Sequence, residues 1–287
     1  MTTAAQVIFA DVGQGDCTIL VDPDLRQAMV VDCPSKNVDQ VHQYLTSNRL
    51  ILHTLIVTHW DKDHYGGVAR LAKAHRPSLV HYNHDTLLPE EGRGVRGIRS
   101  TLKEFLDLPW HSLKPADDQQ SGQFGTIRWS VLSPCHAEIT EAMSKGRRNV
   151  ASCVVDIHAA NTRILVGGDA VAATWARLMR SGLDTADFLR WPHHGAELHG
   201  DAGNSIAQAV LAQVRPAQVV ISVGTSNSYD HPAQSVIKLA RAASRVTCTE
   251  RTVLCMSISR RAAHVLCGGS MLVDIDGSGY RVSTLTL

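Results

Sequence analysis

Short apolar runs alternate along the chain with polar, glycine-bearing turns, and amphipathic stretches follow many of those turns. Residues 6–10 are apolar and strand-like, 17–22 (CTILVD) are β-branched, and 28–31 form a third apolar run. Residues 37–45 carry helical periodicity. The run 55–57 has the pattern of a buried strand and ends at Thr58, and 68–75 has helical composition after Gly66 and Gly67. Beyond this, the pattern predicts strands at 79–82, 126–132, 152–158, 163–166, 186–191 and 218–223, and helices at 95–106, 171–180 and 204–214. Pro232 is placed to open a further helix as a first-turn proline. Residues 244–287 read as short strands at 253–258, 271–275 and 280–285. The stretch 90–118 is the least legible outside its one helix, and such connections often form a substrate wall. Strands alternating with helices predict an α/β fold: two facing mixed sheets flanked by helices, an αββα sandwich. A single domain over 1–287 is expected, with two halves meeting near residue 160.

Composition narrows the function. The chain has 287 residues, 44% hydrophobic and 19% charged, enough for one large domain or two small ones. A formal net charge of +1 argues against a strongly basic protein that coats nucleic acid, so any such contact must be local and metal-centred. The N-terminus, MTTAAQVIFADVGQGD, lacks the basic start and apolar core of a targeting signal. No run approaches the apolar length of a membrane span, so no membrane partner is expected. Seven cysteines without framework spacing fit a reducing, cytoplasmic setting.

Candidate chemistry concentrates in residues 55–67, LIVTHWDKDHYGG. Four potential metal ligands, His59, Asp61, Asp63 and His64, fall within six residues after a strand. The i and i+2 pair can point one way and the next pair another, a spacing that can serve two ions side by side. Imidazole suits zinc, and carboxylates admit manganese as well. The plain alternative is a solvated polar loop. Residues 11–16, DVGQGD, lack the third glycine and following helix of a dinucleotide site. They read as a hairpin turn whose carboxylates, Asp11 and Asp16, can face the metal loop. Lys145, Arg147 and Arg148 form a basic loop ahead of a strand, either solvated or placed to meet phosphates. His84 ends a strand and reads as a surface histidine. Cys248, Cys255, His264 and Cys267 lack the CxxC pair of a structural zinc site and read as buried small residues.

HWDKDH resembles the His-x-His-x-Asp-His signature of the metallo-β-lactamase superfamily, with Asp61 in place of the second histidine. Together with DVGQGD, VVDC at 30–33 and HHG at 193–195, it resembles the hydrolase domain of ComEC-type competence proteins, from about Val7 to about Pro232. The full competence protein is membrane-bound, so the chain resembles only its soluble part. The resemblance implies that Asp32 braces the metal loop by hydrogen bonds. It implies that Asp169, after Gly167 and Gly168, bridges two metals, and that His193 is the last ligand. His194 would lie beside the site as a supporting donor or phosphate contact. The superfamily usually has a histidine near residue 150, where this chain reads Asn149-Val-Ala-Ser152. Water or a substrate oxygen would fill that position. Asn227 and His231 match an Asn…Tyr-Gly-His-Pro stretch of the competence-type domain.

The implied cofactor is a pair of divalent ions, manganese or zinc. His59, Asp61 and Asp169 would hold one; Asp63, His64, Asp169 and His193 would hold the other. Asp63 and His231 are the catalytic candidates, His231 as acid or phosphate clamp. No Gly-x-Ser-x-Gly elbow offers a protein nucleophile. The expected activity is metal-dependent phosphodiester hydrolysis with DNA as substrate. The alternatives are hydrolysis of a lactone, thioester, β-lactam or cyclic nucleotide, and a non-catalytic module that binds a nucleotide or a partner.

Overall fold

The computed structural model describes residues 4–83, 95–225, 227–250 and 268–287. The first strands are β1 (Ala5–Phe9), β2 (Thr18–Asp22) and β3 (Gln27–Val31), followed by α1 (Val38–Ser47) and β4 (Ile51–Ile56). Then come α2 (Lys62–Tyr65), α3 (Val68–His75), β5 (Leu79–Tyr82), α4 (Val95–Leu106) and β6 (Leu113–Pro115). The middle of the chain forms β7 (Ser121–Phe124), β8 (Ile127–Ser133), α5 (His136–Lys145), β9 (Val154–Ala159) and β10 (Thr162–Val166). The rest forms α6 (Ala172–Arg180), β11 (Phe188–Arg190), α7 (Ser205–Val214), β12 (Gln218–Ile221), α8 (Gln234–Ala243), β13 (Arg245–Cys248), β14 (Ser270–Asp276) and β15 (Gly279–Leu285).

These strands make two mixed sheets. One runs β15-β14-β1-β2-β3-β4-β5-β6 and the other β13-β12-β11-β10-β9-β8-β7. Alternation on each strand explains the layering. Val7, Phe9, Leu20, Met29 and Ile56 from the first sheet meet Trp129, Val155, Ile164, Phe188 and Val220 from the second in an inner core. The intervening residues face out. Ile8, Ile19, Val30 and Leu55 pack under Val41 and Leu45 of α1, Leu71 of α3 and Phe105 of α4. On the other side, Leu165, Leu189 and Val219 pack under Trp175, Leu211 and Ile237 of α6, α7 and α8. Strands buried on both faces read as continuous apolar runs, and β2 is such a strand, buried at all five positions. The predicted αββα sandwich is thus the fold observed. Among the described residues, no helix is long and apolar enough to cross a membrane.

The chain passes from the first sheet to the second between β6 and β7, well ahead of residue 160, and β14–β15 return to the first. Pro232 does not open a helix: α8 begins at Gln234 with Ala233 ahead of it. The strand expected at 253–258 lies outside the described residues, as do His84, Cys255, His264 and Cys267. The pattern missed α5, where only Ala142 is buried and no apolar stripe exists to be read.

The pairs β3–β4, β4–β5 and β5–β6 are parallel, as are β10–β11, β11–β12 and β12–β13. Parallel strands send their C-terminal ends to one edge, where open sheets bind ligands. Asp32, His59, Asp169, His194 and Ser222 each follow such an end.

Candidate metal centre

Thr58 and His59 follow β4 on a chain that rises to the sandwich edge and turns into α2, a single helical turn. Asp61 is the residue ahead of that turn, yet its side chain caps nothing. Its Oδ2 lies 3.4 Å from His59 Nε2, and its Oδ1 accepts a 3.1 Å hydrogen bond from Arg148. His64 is fully buried and Asp63 half-buried. On the opposite sheet, the turn after β10 aims Asp169 at this loop. Gly168 has φ +49 there, and a Cβ on it would lie 2.6 Å from Ser152 Oγ, so a side chain would crowd the turn. Ser152 Oγ in turn accepts the Asp169 backbone N–H at 2.8 Å.

Asp169 stands between two groups of ligand atoms. Its Oδ1 is 3.1 Å from His64 Nε2, and its Oδ2 is 3.4 Å from His59 Nε2 and 3.7 Å from His193 Nε2. His194 completes the second group, its Nε2 3.2 Å from Asp63 Oδ2 and 3.3 Å from His64 Nε2. His59, His64 and Asp169 therefore form one cluster able to hold an ion, and Asp63, His64 and His194 another. Asp16, Asp32 and His64 also converge, but Arg190 lies 3.0 Å from Asp16, and Asp32 is taken by hydrogen bonds.

The outer partners fix which nitrogens face the clusters. Asp32, at φ +60, accepts from Thr58 N at 2.8 Å, from Thr58 Oγ1 at 2.6 Å and from His64 Nδ1 at 2.8 Å. His194 Nδ1 donates to the Ser222 carbonyl at 3.1 Å. With neutral rings protonated on Nδ1, the form that binds a metal, both Nε2 atoms would present lone pairs 3.3 Å apart. Two lone pairs at that distance repel unless a cation lies between or beside them. His59 Nε2 and Asp169 Oδ1 are likewise buried without a hydrogen bond among the described residues. Buried polar atoms are normally satisfied, so these orphaned atoms fit divalent metal ions.

Electrostatics agree. Burial opposes charge on His59, but Asp169 and Asp61 outweigh it and hold its pKa at about 9. His194 is likewise held at about 10 by Asp16 and Asp63 against its burial. Asp169 is fully buried, yet His64 and His59 keep it well below the carboxylate range. The carboxylates thus draw positive charge into the site. Protons and metal ions compete for the same imidazole lone pairs.

Other residues singled out by sequence are dispersed. Asp11 accepts from Gly13 N at 3.2 Å within its turn, its own N–H donates to Ser270 of β14, and it belongs to none of the ligand groups. Asp16 is buried 3.5 Å from His194 Nδ1 and acts behind it. Of the basic loop, only Arg148 reaches the site, on Asp61 and the Trp60 carbonyl. Lys145 pairs with Glu141 on the surface, and Arg147 lines a separate cavity beside His199. Asn227 does not face the clusters: its amide bonds to Gly224 O, His231 O, Tyr229 N and His231 N, closing its own loop. His231 packs edge-on to His193, rings 5.6 Å apart. Burial, then His193 and His194, lower its pKa, so its ring is neutral at pH 7.

A cleft of about 610 Å³ opens over Asp61, Asp63, Asp169 and His194, and Lys36, Lys62 and Tyr229 also line it. Sequence reasoning gave no role to these three, nor to Thr58, Ser152, Ser222 and Arg190. Lys36 stands four residues after Asp32, and Lys62 lies inside the ligand loop, so proximity to motif residues was the available signal for both.

Known proteins resemble this chain in sequence and in fold. Recombination protein 2 of Haemophilus influenzae is 28% identical over 239 residues, covering 81% of this chain and 26% of that protein. ComE operon protein 3 of Bacillus subtilis is 24% identical over 262 residues, 83% of this chain and 31% of that protein. The chain thus spans about a quarter to a third of these curated relatives, and the resemblance to ComEC-type proteins holds across most of its own length. In fold it is similar to Zn(2+)-bound PqqB from Methylobacterium extorquens, with a TM-score of 0.52 at 13% identity over 94% of this chain and 100% of the other. Residues 10–188 match the family model described as the metallo-beta-lactamase superfamily, and that match holds the ligand loop, the bracing acid Asp32 and Asp169. The chain belongs to the metallo-beta-lactamase superfamily.

Proposed function

We propose that the protein is a metal-dependent phosphodiesterase that cuts nucleic acid, DNA in the first instance. The observation that carries this reading is a pair of adjoining ligand groups that meet at His64, with Asp169 reaching His64 through Oδ1 and His59 through Oδ2, under a cleft that also presents Lys36 and Lys62. Two divalent ions held by these residues would supply a water of lowered pKa and neutralise the charge of displacement at phosphorus. The similarity to Recombination protein 2 and ComE operon protein 3 supports a DNA-related substrate.

His59, Asp61 and Asp169 would hold one ion, with His193 at its rim. Asp63, His64, His194 and Asp169 would hold the other, so His194 takes the deep place expected of His193. Asp32 and Ser222 keep His64 and His194 turned with Nε2 inward. Lys36 and Lys62 draw a phosphodiester into the cleft by charge. Hydrolysis adds water to phosphorus and breaks one P–O bond, and the departing oxygen takes a proton. His231, neutral at pH 7, serves as a hydrogen-bond donor to a phosphate oxygen rather than as a strong acid. Zinc and manganese both suit this oxygen-rich set. Cys17, Cys33 and Cys153 are buried thiols, which accords with a reducing compartment.

The test is incubation of purified protein with single- and double-stranded DNA and Mn²⁺ or Zn²⁺, beside an Asp63→Ala variant. Cleavage by wild type and its loss in the variant are expected. Cleavage of a cyclic nucleotide with neither DNA cut would overturn the nuclease reading.

A further inference from the structure

Among the large apolar side chains left exposed in the described residues, Tyr229 is the one that lines the cleft over the metal clusters, and it is 66% exposed. Its ring is nearly parallel to that of His231, 5.7 Å away with the planes at 19°. His231 meets His193 edge-on at 5.6 Å, and His193 Nε2 lies 3.7 Å from Asp169 Oδ2. A staircase of rings therefore descends from solvent to the Asp169 carboxylate of the first cluster. The outermost ring stacks on His231 and leaves most of the residue's surface to solvent.

The loop that carries Tyr229 is pinned. The single amide of Asn227 accepts from Tyr229 N at 3.1 Å and His231 N at 2.9 Å, and donates to Gly224 O at 2.9 Å and His231 O at 2.8 Å. An aromatic held open on a braced loop beside a reaction centre has little of its ordering cost left to pay on binding. Lys36 and Lys62 line the same cleft, so cations that track a phosphate backbone lie beside an aromatic face. That pairing of charge and stacking surface is the chemistry by which proteins hold single-stranded nucleic acid.

We infer that Tyr229 is the platform on which the base flanking the scissile phosphate stacks, and that this base must be unpaired. The inference rests on the phosphodiesterase reading and deepens it: the substrate is a single strand or a frayed end, not the interior of a duplex. A paired base has both faces covered by its neighbours in the stack, so it cannot lie on Tyr229 without leaving them. Tyr229 touches the base and not the reacting phosphorus, which makes it a determinant of specificity.

Two measurements test this. In the first, metal-free protein binds a single-stranded oligonucleotide carrying 2-aminopurine. Its fluorescence is expected to be quenched by wild type and by Tyr229→Phe, and not by Tyr229→Ala. In the second, cleavage is followed with Mn²⁺. Tyr229→Ala is expected to raise KM on the intact strand by roughly 5- to 100-fold, with Tyr229→Phe close to wild type. An abasic residue at the flanking position should raise the wild-type KM by a similar factor, and combining the two changes should add little. Quenching that depends on Tyr229 without cleavage of any diester would keep the platform and remove the nuclease reading. Cleavage with equal KM and quenching in wild type and Tyr229→Ala would do the reverse. A loss in Tyr229→Ala that is equally large on abasic and intact strands, or a Tyr229-dependent affinity for duplex interior equal to that for single strands, also overturns the platform.

Discussion

Arg190 Nη2 lies 3.0 Å from Asp16 Oδ1, and both side chains are buried. Arg190 belongs to β11 in one sheet, and Asp16 precedes β2 in the other, so the pair ties the two layers directly beneath His194. Arg190 also donates to the Thr18 hydroxyl and lies 6.0 Å over the Phe9 ring. Burial alone would raise the Asp16 pKa, but Arg190 and His194 reverse that and hold it at about 2. Removing one partner of such a pair strands the other charge, at about 3–5 kcal/mol. Arg190→Met is therefore expected to lose about that much stability in urea unfolding. The double variant Asp16→Asn/Arg190→Met should recover part of the loss.

His193 and His194 are neighbours with unequal positions. His194 is 2% exposed and reaches both Asp63 and His64, whereas the side chain of His193 is 35% exposed at the rim. Metal analysis after extensive dialysis should show His194→Ala retaining about one ion fewer than wild type. His193→Ala should stay close to the wild-type content. Equal losses from the two variants would contradict the assignment of the deep place to His194.

Asp32 takes three hydrogen bonds from Thr58 and His64 without being a member of the two opposed ligand groups. An asparagine keeps the shape but offers one acceptor oxygen where the carboxylate offers two. Supports of this kind are worth about 10- to 100-fold in metal affinity. Asp32→Asn should show a loss in that range by chelator competition, with the fold retained by circular dichroism.

His81 is buried on β5 beside the edge of Trp129, ring centroids 4.8 Å apart, with Nδ1 3.2 Å from the Pro115 carbonyl. Burial pushes its pKa down from 6.5 to about 4. The folded state therefore keeps it neutral where the unfolded chain would take up a proton. Its contribution is whole above pH 6.5 and is lost as pH falls from there through about 4. The full effect is about 3 kcal/mol. Between pH 7.5 and pH 4.5, His81→Phe should lose less stability than wild type in urea unfolding; an equal loss would remove His81 as the cause.

The sandwich was legible because its inner strands are apolar on both faces and its helices mostly carry one apolar stripe. Residues 17–22 and 55–57 announced themselves that way, and α5, which buries one alanine, did not. The ligand loop was legible because four donors crowd into six residues. Which of His193 and His194 points inward was not, because both adopt left-handed backbone angles, φ 51 and 53, and the direction of a side chain in such a turn has no periodicity to reveal it. Lys145, Arg147 and Arg148 looked equivalent in sequence. A short 3-10 turn beginning at Arg148 sends that residue alone to Asp61. Arg190 was hidden in an apolar run, since its partner lies 174 positions away.

The hairpin of β14 and β15 completes the first sheet on the far side of β1, where Gln6 meets Asp274 across 268 positions of chain. β1 leads straight into the turn whose Asp16 N–H bonds to the Asp63 carbonyl. The ligand loop would therefore lean on a first sheet that stays unfinished until the segment carrying β14 and β15 has joined it. The reaction centre is in this way coupled to a pairing made late in folding, because contacts so distant in sequence form slowly.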